Sequence, residues 1–471
     1  MSVIEVSNKS FDLNVPVLVI GAGACGCCAA LAVNDAGVEV MVLERDERPS
    51  GSTSLSGGQV PGAATNLQAK AGIDDPAELL AHDLIVKAKH QNDPDMAHHI
   101  AAQSGPTVDW LAEQHHLPLS VQDLFLYPGH SAQHMHVTPG MTGAELLTCL
   151  LAAVAEKEID VVVSAHVTDL FAEADGKVVG VQISRPDGSV EAIGCEALIL
   201  ACNGYGGSPE MLRRYMPEIA EIHYHGHVGN QGDAVNWGLD LGAGISDMGS
   251  YQGFGAVVTP VMVHLTWASI TEGGIQVNNA GQRFSHENEG YSEQARKVLS
   301  QPGGIVWTIF DQRVQDVAMG LESQRQAFEL GGIKKVASVD ELADLIGCDV
   351  ETLTVTLNDV AAMARSETDD PFGRDFSAKP PLCAPYYVAK VTGALFHTQG
   401  GLDVDFDGRV LRTDGAPLPN LFAGGSAARG LSGPSDWGYL SGSGLMMATT
   451  LGRLAGTKAA AMTGGAPDQP T

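Results

Sequence analysis

Residues 15–26 read Val-Pro-Val-Leu-Val-Ile-Gly-Ala-Gly-Ala-Cys-Gly, and this stretch decides the fold. Its first half is apolar and rich in β-branched residues, which predicts a buried parallel strand. Gly21, Gly23 and Gly26 then follow in the spacing Gly-x-Gly-x-x-Gly and lead into a predicted alanine-rich helix. Glycines so spaced allow a tight turn and let the backbone approach a pyrophosphate at a helix N-terminus. The stretch therefore predicts a dinucleotide-binding turn.

An acidic residue supports that interpretation. A second strand, predicted over residues 38–43, ends at Glu44 and Arg45, and Glu44 lies 23 residues beyond Gly21. A carboxylate at this place accepts the hydroxyl groups of a nucleotide ribose. The alternative is a tight turn that binds nothing. Strand, spacing and acid together favour the nucleotide.

The composition excludes several classes of partner. The chain has 471 residues, with 27 Lys and Arg against 56 Asp and Glu, and its net charge of −29 disfavours nucleic acid and anionic membranes. Apolar residues make up 44%, enough for a large core, and no stretch resembles an integral membrane span. Eight scattered cysteines and the absence of a signal-peptide pattern predict a cytoplasmic protein.

Changes in pattern along the chain indicate two domains. Helical patterns dominate residues 75–158, and alternating strands follow over residues 160–196. We predict an α/β fold in which a Rossmann-like domain with a parallel sheet and a β-meander is formed by residues 1–215 and 386–471. Residues 216–385 are predicted to form an inserted α+β capping domain.

Further segments favour FAD over NAD as the cofactor. A simple NAD domain needs neither the glycine-serine loop 51–58, nor a meander that leads to residues 201–204, nor a returning Gly-Gly-Ser at 424–426. The motifs "VIGAGACG", "LERDERPSGSTSLSGG", "LACNGYGG", "GNQGDA", "NNAGQRF", "HTQGG", "LPNLFAGGSAA" and "LSGSGLMMATTLGRLAG" span nearly the whole chain. In these the chain resembles the flavoprotein family of fumarate reductases, succinate dehydrogenase flavoprotein subunits and 3-ketosteroid Δ1-dehydrogenases, and it is most similar to the ketone desaturases.

That resemblance implies which residues surround FAD. The C-terminal helix is expected to begin near residues 441–444, with its N–H groups toward the flavin, where its positive end stabilises the reduced ring by up to ~2 kcal/mol. Ser426 replaces an acid that the fumarate reductases carry. The expected cofactor-binding residues are Gly21, Gly23, Ala24, Gly26, Glu44, Arg45, Ser52, Thr53, Ser56, Gly57, Gly58, Val167, Ala201, Asn203, Gly204, Asp233, Gly425, Ser426, Ser441 and Gly442.

The resemblance also implies that a dicarboxylate clamp is missing. Fumarate-reducing members hold their substrate with arginines and histidines, and these positions fall here on Tyr291, Tyr439, Phe396 and Phe254. A buried carboxylate without a partner costs several kcal/mol. Fumarate is therefore not expected as the substrate, and the pocket suits an apolar ring with one polar oxygen.

The same tyrosines match the ketosteroid dehydrogenases. The resemblance implies that Tyr291 removes the proton beside the ketone while the β-hydride passes to N5 of FAD, and that Tyr439 with the Gly442 N–H binds the ketone oxygen. The ketosteroid dehydrogenases have a glycine four residues after this tyrosine, and Ser443 occupies that position here. Which backbone N–H donates to the ketone oxygen is therefore left open. Tyr127 is the candidate for lowering the pKa of Tyr291.

Two side issues remain open in the sequence. Trp437 is either a substrate wall or a contact to the cap. His223, His225 and His227 alternate as metal ligands do, but no acid or cysteine cluster accompanies them, and we predict no metal.

The leading hypothesis is FAD-dependent α,β-desaturation of a cyclic ketone, either a 3-oxosteroid or a cyclohexanone-type ring, with a quinone, a dye or oxygen as electron acceptor. The alternatives are fumarate-reductase-like reduction of an activated alkene and a flavin-binding protein without turnover.

Overall fold

A nine-stranded, mostly parallel sheet forms the first layer of the computed structural model, which describes residues 2–464. Its parallel part has the order Asp160–Val162, Val40–Leu43, Leu13–Ile20, Val190–Leu200 and Pro417–Ala423. The strands His166–Ala172, Val178–Ser184 and Val190–Leu200 form the antiparallel meander, with Ser2–Glu5 and Arg409–Leu411 at the edges. The predicted α/β class, parallel sheet and β-meander are confirmed.

A second, seven-stranded sheet forms the cap. Its strands are His223–Tyr224, Tyr251–Val258, Val263–His264, Ile275–Val277, Ile305–Asp311, Ile333–Val336 and Tyr386–Thr398. Four of the other six strands pair with Tyr386–Thr398, although the predicted boundary at residue 386 assigns that strand to the first domain. The chain therefore returns to the first sheet only after this strand. Small sheets pair Ile245–Ser246 with Gly401–Leu402, and Met135–Val137 with Val60–Pro61 and Ser120–Val121.

Fifteen α-helices cover the sheets within the described residues. They are Ala24–Asp35, Gly51–Leu55, Asn66–Ala71, Ala77–Lys87, Pro94–Glu113, Gly143–Glu156, Pro209–Tyr215, Asp233–Asp240, Ala268–Thr271, Tyr291–Leu299, Gln312–Ala318, Glu322–Glu329, Val339–Ile346, Val350–Ala364 and Ser443–Met462. None of these described helices combines the length and the apolar character that crossing a bilayer requires.

The glycine turn has the geometry that its sequence predicts. The first strand ends at Ile20, and Gly21 has a φ of +105°, which favours glycine. A Cβ on Gly21 would lie 2.6 Å from the Ala201 carbonyl oxygen, and one on Gly26 would lie 1.8 Å from the Gly21 carbonyl oxygen. The glycines thus bring two strands and a helix into direct backbone contact.

The C-terminal helix packs on the first helix through glycines of its own. A Cβ on Gly452 would lie 2.5 Å from the Cys25 carbonyl oxygen, and one on Gly456 would lie 2.3 Å from that of Ala29. Cys25 is buried at this contact, where burial raises the pKa of its thiol to about 12, in agreement with a packing role. This close approach fixes where the C-terminal helix begins.

We expect Gly456→Ala to lower the melting temperature. In an ordinary helix this change stabilises by ~1 kcal/mol, but here the added methyl group collides with backbone. Thermal unfolding of both proteins measures the effect. Ala461→Gly on the exposed face of the same helix is the control and should show the ordinary loss of ~1 kcal/mol. A stabilised Gly456→Ala variant would contradict the packing.

Candidate active site

One long cavity runs between the parallel sheet, the C-terminal helix and the cap. The empty space in and around it is about 1810 Å³, part of which is open to solvent. Its lining includes most of the residues predicted to bind FAD: Gly21, Gly23, Ala24, Glu44, Arg45, Ser52, Thr53, Ser56, Gly57, Val167, Ala201, Asn203, Asp233, Gly425, Ser426, Ser441 and Gly442. The same cavity also contains Tyr127, Phe254, Tyr291, Phe396 and Tyr439.

The nucleotide part of the cavity is built around the glycine turn. The Glu44 carboxylate accepts hydrogen bonds from the Ala22 N–H at 2.9 Å and the Asp46 N–H at 3.0 Å, which hold it beside the turn. Thr53 Oγ1 accepts from the Ala24 N–H at 3.0 Å, at the start of the first helix. No acidic side chain lies in the first turn of that helix, so its positive end favours a phosphate.

Three predicted cofactor residues, Gly26, Gly58 and Gly204, do not line the cavity. Gly26 packs against the glycine turn, and a Cβ on Gly58 would lie 2.5 Å from the Thr142 carbonyl group. A Cβ on Gly204 would lie 2.0 Å from Thr398 Oγ1. These glycines allow close packing around the site.

Seven rings from distant parts of the chain form an aromatic chamber: Tyr127, Phe254, His264, Trp267, Tyr291, Phe396 and Tyr439. Phe254 and Phe396 stack with centroids 5.0 Å apart, and Tyr291 lies 5.2 Å from Phe254. The Tyr291 and Tyr439 rings are 6.1 Å apart. The chamber therefore brings together the two phenols and both phenylalanines that the sequence predicted.

The phenols differ in their hydrogen-bonding surroundings. Burial raises the pKa of Tyr439, and the backbone of Gly444 and Gly442 and the Ser443 side chain oppose that rise. Burial also raises the pKa of Tyr291 well above its ordinary value, the Tyr439 and Tyr127 phenols add to the rise, and the Ser441 side chain opposes it. A phenol with so raised a pKa is protonated near pH 7.

The sequence suggested that Tyr127 lowers the pKa of Tyr291, and the structure shows that it does not. Its ring lies 6.2 Å from that of Tyr291, and its own hydroxyl accepts from Gln59 Nε2 at 3.1 Å. Burial raises the pKa of Tyr127 to about 12. Burial disfavours a negative charge on either phenol, and ionising both would place two like charges close together.

Trp437 lies outside the cavity, which corrects its assignment to the substrate pocket. Its ring lies 4.8 Å from Lys89 Nζ, in a separate surface depression that Lys87 and His130 also line. Trp437 belongs to a one-turn helix, Asp436–Gly438, that precedes Tyr439. The Trp437 side chain thus points away from the cavity although Tyr439, two residues later, lines it. Nothing in the local sequence indicates this difference.

Sequence reasoning missed several lining residues of the chamber region, namely Gln252, His264, Thr266, Trp267 and His397. His264 enters because its short strand pairs with the strand Tyr251–Val258. Such long-range pairing leaves no local signal. His397 adjoins Phe396 in the quoted "HTQGG" motif, and His225, considered only as a metal ligand, also lines the cavity. His223 is exposed and lies outside it.

Positive charge is confined to the nucleotide part. Arg45 is the one arginine or lysine among the described lining residues, and its guanidinium donates to the Gly229 carbonyl oxygen at 2.7 Å. His264 and His397 are in the chamber region, and burial lowers the pKa of each to about 4, so both are neutral near pH 7. The chamber therefore has no cation to balance a carboxylate.

A family model described as FAD binding domain matches residues 16–444. The chain belongs to this family. FAD is its cofactor, and it is an FAD-dependent oxidoreductase. The nucleotide part fits FAD, because the glycine turn, the Glu44 carboxylate and the unopposed helix N-terminus line one continuous cavity with the chamber. Members of the FAD binding domain family with related sequences act on different substrates.

A probable fumarate reductase of Shewanella frigidimarina is 28% identical over 94% of this chain and 74% of its own length. The urocanate reductase of Eggerthella lenta is 29% identical over 96% of this chain and 76% of its own. The 4-oxocyclohex-2-ene-1-carboxylate 5-dehydrogenase of Sinomonas cyclohexanicum is 25% identical over 90% of each chain.

Solved structures have the same architecture. An open flavocytochrome c3 fumarate reductase matches with a TM-score of 0.80 and 28% identity, over 96% of this chain and 79% of that one. A 3-ketosteroid-Δ4-(5α)-dehydrogenase of Rhodococcus jostii matches with a TM-score of 0.77 and 22% identity, over 96% and 98%. The second likeness concerns the fold alone.

A buried ion-pair network supports the turn beside Tyr291. His134 contacts Asp75 through Nδ1 at 2.6 Å and Asp83 through Nε2 at 3.1 Å. The neighbouring His130 donates from Nε2 to the Ser441 carbonyl oxygen at 3.1 Å. His130, whose ring lies 5.2 Å from that of His134, thus holds the backbone of Ser441, and the Ser441 side chain lowers the pKa of Tyr291.

We expect the stabilising contribution of His134 to decline as the pH rises. Burial lowers the pKa of His134, but its hydrogen bonds to Asp75 and Asp83 outweigh burial, so the net pKa is raised. A histidine whose pKa is raised by folding stabilises the folded state fully at pH values below its pKa in the unfolded chain, ~6.5. This stabilisation is lost as the pH rises through the pKa of the folded state. The melting temperatures of wild type and His134→Gln should therefore differ more at pH 6 than at pH 9.

The exposed His98 provides the control, since His98→Gln should give a small difference at both pH values. An equal or larger gap for His134→Gln at pH 9 would refute the charged pairing.

Proposed function

We propose that the protein desaturates a cyclic ketone next to its carbonyl group. The observation that carries this proposal is the pairing of the Tyr291 and Tyr439 phenols in an aromatic chamber whose described lining holds no arginine or lysine. A neutral ring with a carbonyl oxygen suits such a chamber, whereas a dicarboxylate would be buried without a partner. The relative that acts on 4-oxocyclohex-2-ene-1-carboxylate supports ketone chemistry on this fold.

Tyr439 has the surroundings of a carbonyl-binding group. A Cβ on Gly444 would lie 3.5 Å from its hydroxyl oxygen, at the start of the helix Ser443–Met462. The glycine backbone groups and the helix N-terminus polarise that hydroxyl, which strengthens it as a donor to a ketone oxygen. Gly442 is the N-cap of this helix, with a φ of +78°, and its backbone is one of the groups that lower the pKa of Tyr439, so the proposed second donor to the ketone stays open.

Tyr291 is the proposed base for the α-proton. Polarisation of the carbonyl by Tyr439 acidifies the adjacent C–H, and the chamber walls hold the ring against Phe254 and Phe396. FAD, when bound, supplies the two-electron acceptor for the β-hydride. Because its pKa is raised, Tyr291 must first lose its phenol proton to solvent before it can accept the α-proton, and its contact with the Ser441 side chain, which lowers that pKa, favours the loss.

Reduction of a cyclic enone is a second candidate. The raised pKa keeps the Tyr291 phenol protonated, so it carries a proton for an α-carbon, and this transfer is the reverse of the same step. The reductases among the relatives support this direction. Both candidates use the same residues on a neutral cyclic substrate, and they differ in which way the electrons flow.

We expect Tyr291→Phe to bind FAD normally and to slow flavin reduction by cyclohexanone or a 3-oxosteroid by roughly 10²–10⁴-fold. Loss of the proton acceptor leaves the walls and the carbonyl donor in place. Anaerobic stopped-flow bleaching of the oxidised flavin absorbance measures the rate. Tyr386→Phe, a cap tyrosine that does not line the cavity, should be indistinguishable from wild type.

Several results would count against this assignment. A normal bleaching rate in Tyr291→Phe would remove the base. Rapid oxidation of the dithionite-reduced protein by fumarate would contradict a neutral chamber. Oxidation by cyclohex-2-enone without bleaching by any saturated ketone would select the second candidate.

We expect the bleaching rate to rise with pH. A base whose pKa is raised is mostly protonated near pH 7, so its active fraction grows about tenfold per pH unit below that pKa. Rates at saturating ketone between about pH 7 and 9 should therefore climb steadily. The slope should disappear in Tyr291→Phe. A rate that falls across this range would instead indicate that the phenol acts as an acid.

A further inference from the structure

Two histidines lie beside Phe396: His264, which is one of the chamber rings, and His225, which is not. The His225 ring lies 5.1 Å from the Phe396 ring, and the His264 ring lies 6.0 Å from it. His264 also contacts Phe254 at 5.6 Å. Both histidines line the cavity. Neither His225 nor His264 forms a hydrogen bond through its ring nitrogens with another described residue. Polar atoms that face a cavity without a protein partner are available to a ligand.

These rings follow the phenols along one wall. Ring contacts lead from Tyr439 to Tyr291 at 6.1 Å, from Tyr291 to Phe254 at 5.2 Å, and from Phe254 to His264. A ring held at its ketone oxygen by Tyr439 and packed on Phe254 therefore extends toward the histidines. The wall has a polar group at each end and apolar rings between.

We propose that His225 and His264 bind a second oxygen of the substrate, a neutral carbonyl or hydroxyl group on the side of the ring system away from the reacting ketone. This assignment rests on the proposed function and specifies its substrate class. The two imidazoles act as hydrogen-bond donors, and their separation from Tyr439 selects substrates that carry oxygen at both ends.

The charge around the pair favours a neutral oxygen over a carboxylate. Burial lowers the pKa of His264 to about 4, with His225 contributing, and burial and the neighbouring His223 lower that of His225. Holding a carboxylate here would require proton uptake by a histidine that burial keeps neutral. A neutral acceptor needs only the two N–H groups.

The test measures ligand affinity in FAD-loaded Tyr291→Phe protein, which should hold ketones without turning them over. Calorimetry compares cyclohexanone with cyclohexane-1,4-dione, and 2-decalone with decalin-2,6-dione. We expect at least one dione to bind about tenfold more tightly than its monoketone. Its affinity should not change between pH 6 and pH 9. His264→Phe and His225→Phe should abolish that gain, and His223→Phe, outside the cavity, should preserve it.

Each other outcome has a definite meaning. Monoketones that bind while neither dione gains affinity overturn the histidine assignment alone. Failure of every ketone to bind defeats the proposed function itself. Tighter binding of 4-oxocyclohexane-1-carboxylate than of the diones at pH 7.5, growing as the pH falls, would overturn the neutral acceptor and indicate a protonated histidine. A gain that survives His264→Phe and His225→Phe would place the second oxygen elsewhere.

Discussion

A buried charge must be balanced by a partner, and this requirement governs what the aromatic chamber can hold. Desolvating an unpaired carboxylate costs several kcal/mol, more than stacking on aromatic rings returns. Among the described lining residues the single guanidinium, that of Arg45, is in the nucleotide part, where it is bound to Gly229 and contacts His227. The proposed restriction to neutral rings follows from this distribution of charge.

The chamber depends on backbone contacts that only glycine allows. Gly452 and Gly456 bring the C-terminal helix onto the first helix, and this sets the level at which Ser443 begins the former. Gly442 and Gly444 then place backbone groups against the Tyr439 hydroxyl. A side chain at any of these glycines would displace the start of the C-terminal helix. The surroundings of the Tyr439 hydroxyl therefore depend on packing about three turns further along that helix.

The sequence predicted the nucleotide part better than the chamber, and the reason is physical. Gly21, Gly26 and Glu44 act through local geometry, and their spacing alone specifies a strand, a turn and a helix. His264 reaches the chamber through pairing between strands, and Trp437 leaves it through a single helical turn. Tyr127 lies near Tyr291 as expected, but it raises the pKa of Tyr291 instead of lowering it. The direction depends on how deeply the phenols are buried, and burial follows from packing in three dimensions.

Direction of electron flow is not a property of these side chains alone. In both proposed reactions, desaturation and reduction, the proton would move between Tyr291 and an α-carbon, because microscopic reversibility requires the same residues to serve each way. The raised pKa of Tyr291 keeps the phenol protonated at neutral pH, so the proton that reduction uses is present, whereas desaturation requires that this proton be lost first. Desaturation therefore needs a substrate whose α-proton is strongly acidified, and the hydroxyl of Tyr439 at a helix N-terminus is placed to do this. Since the same residues would serve both proposed reactions, the potential of the electron partner decides which of them predominates.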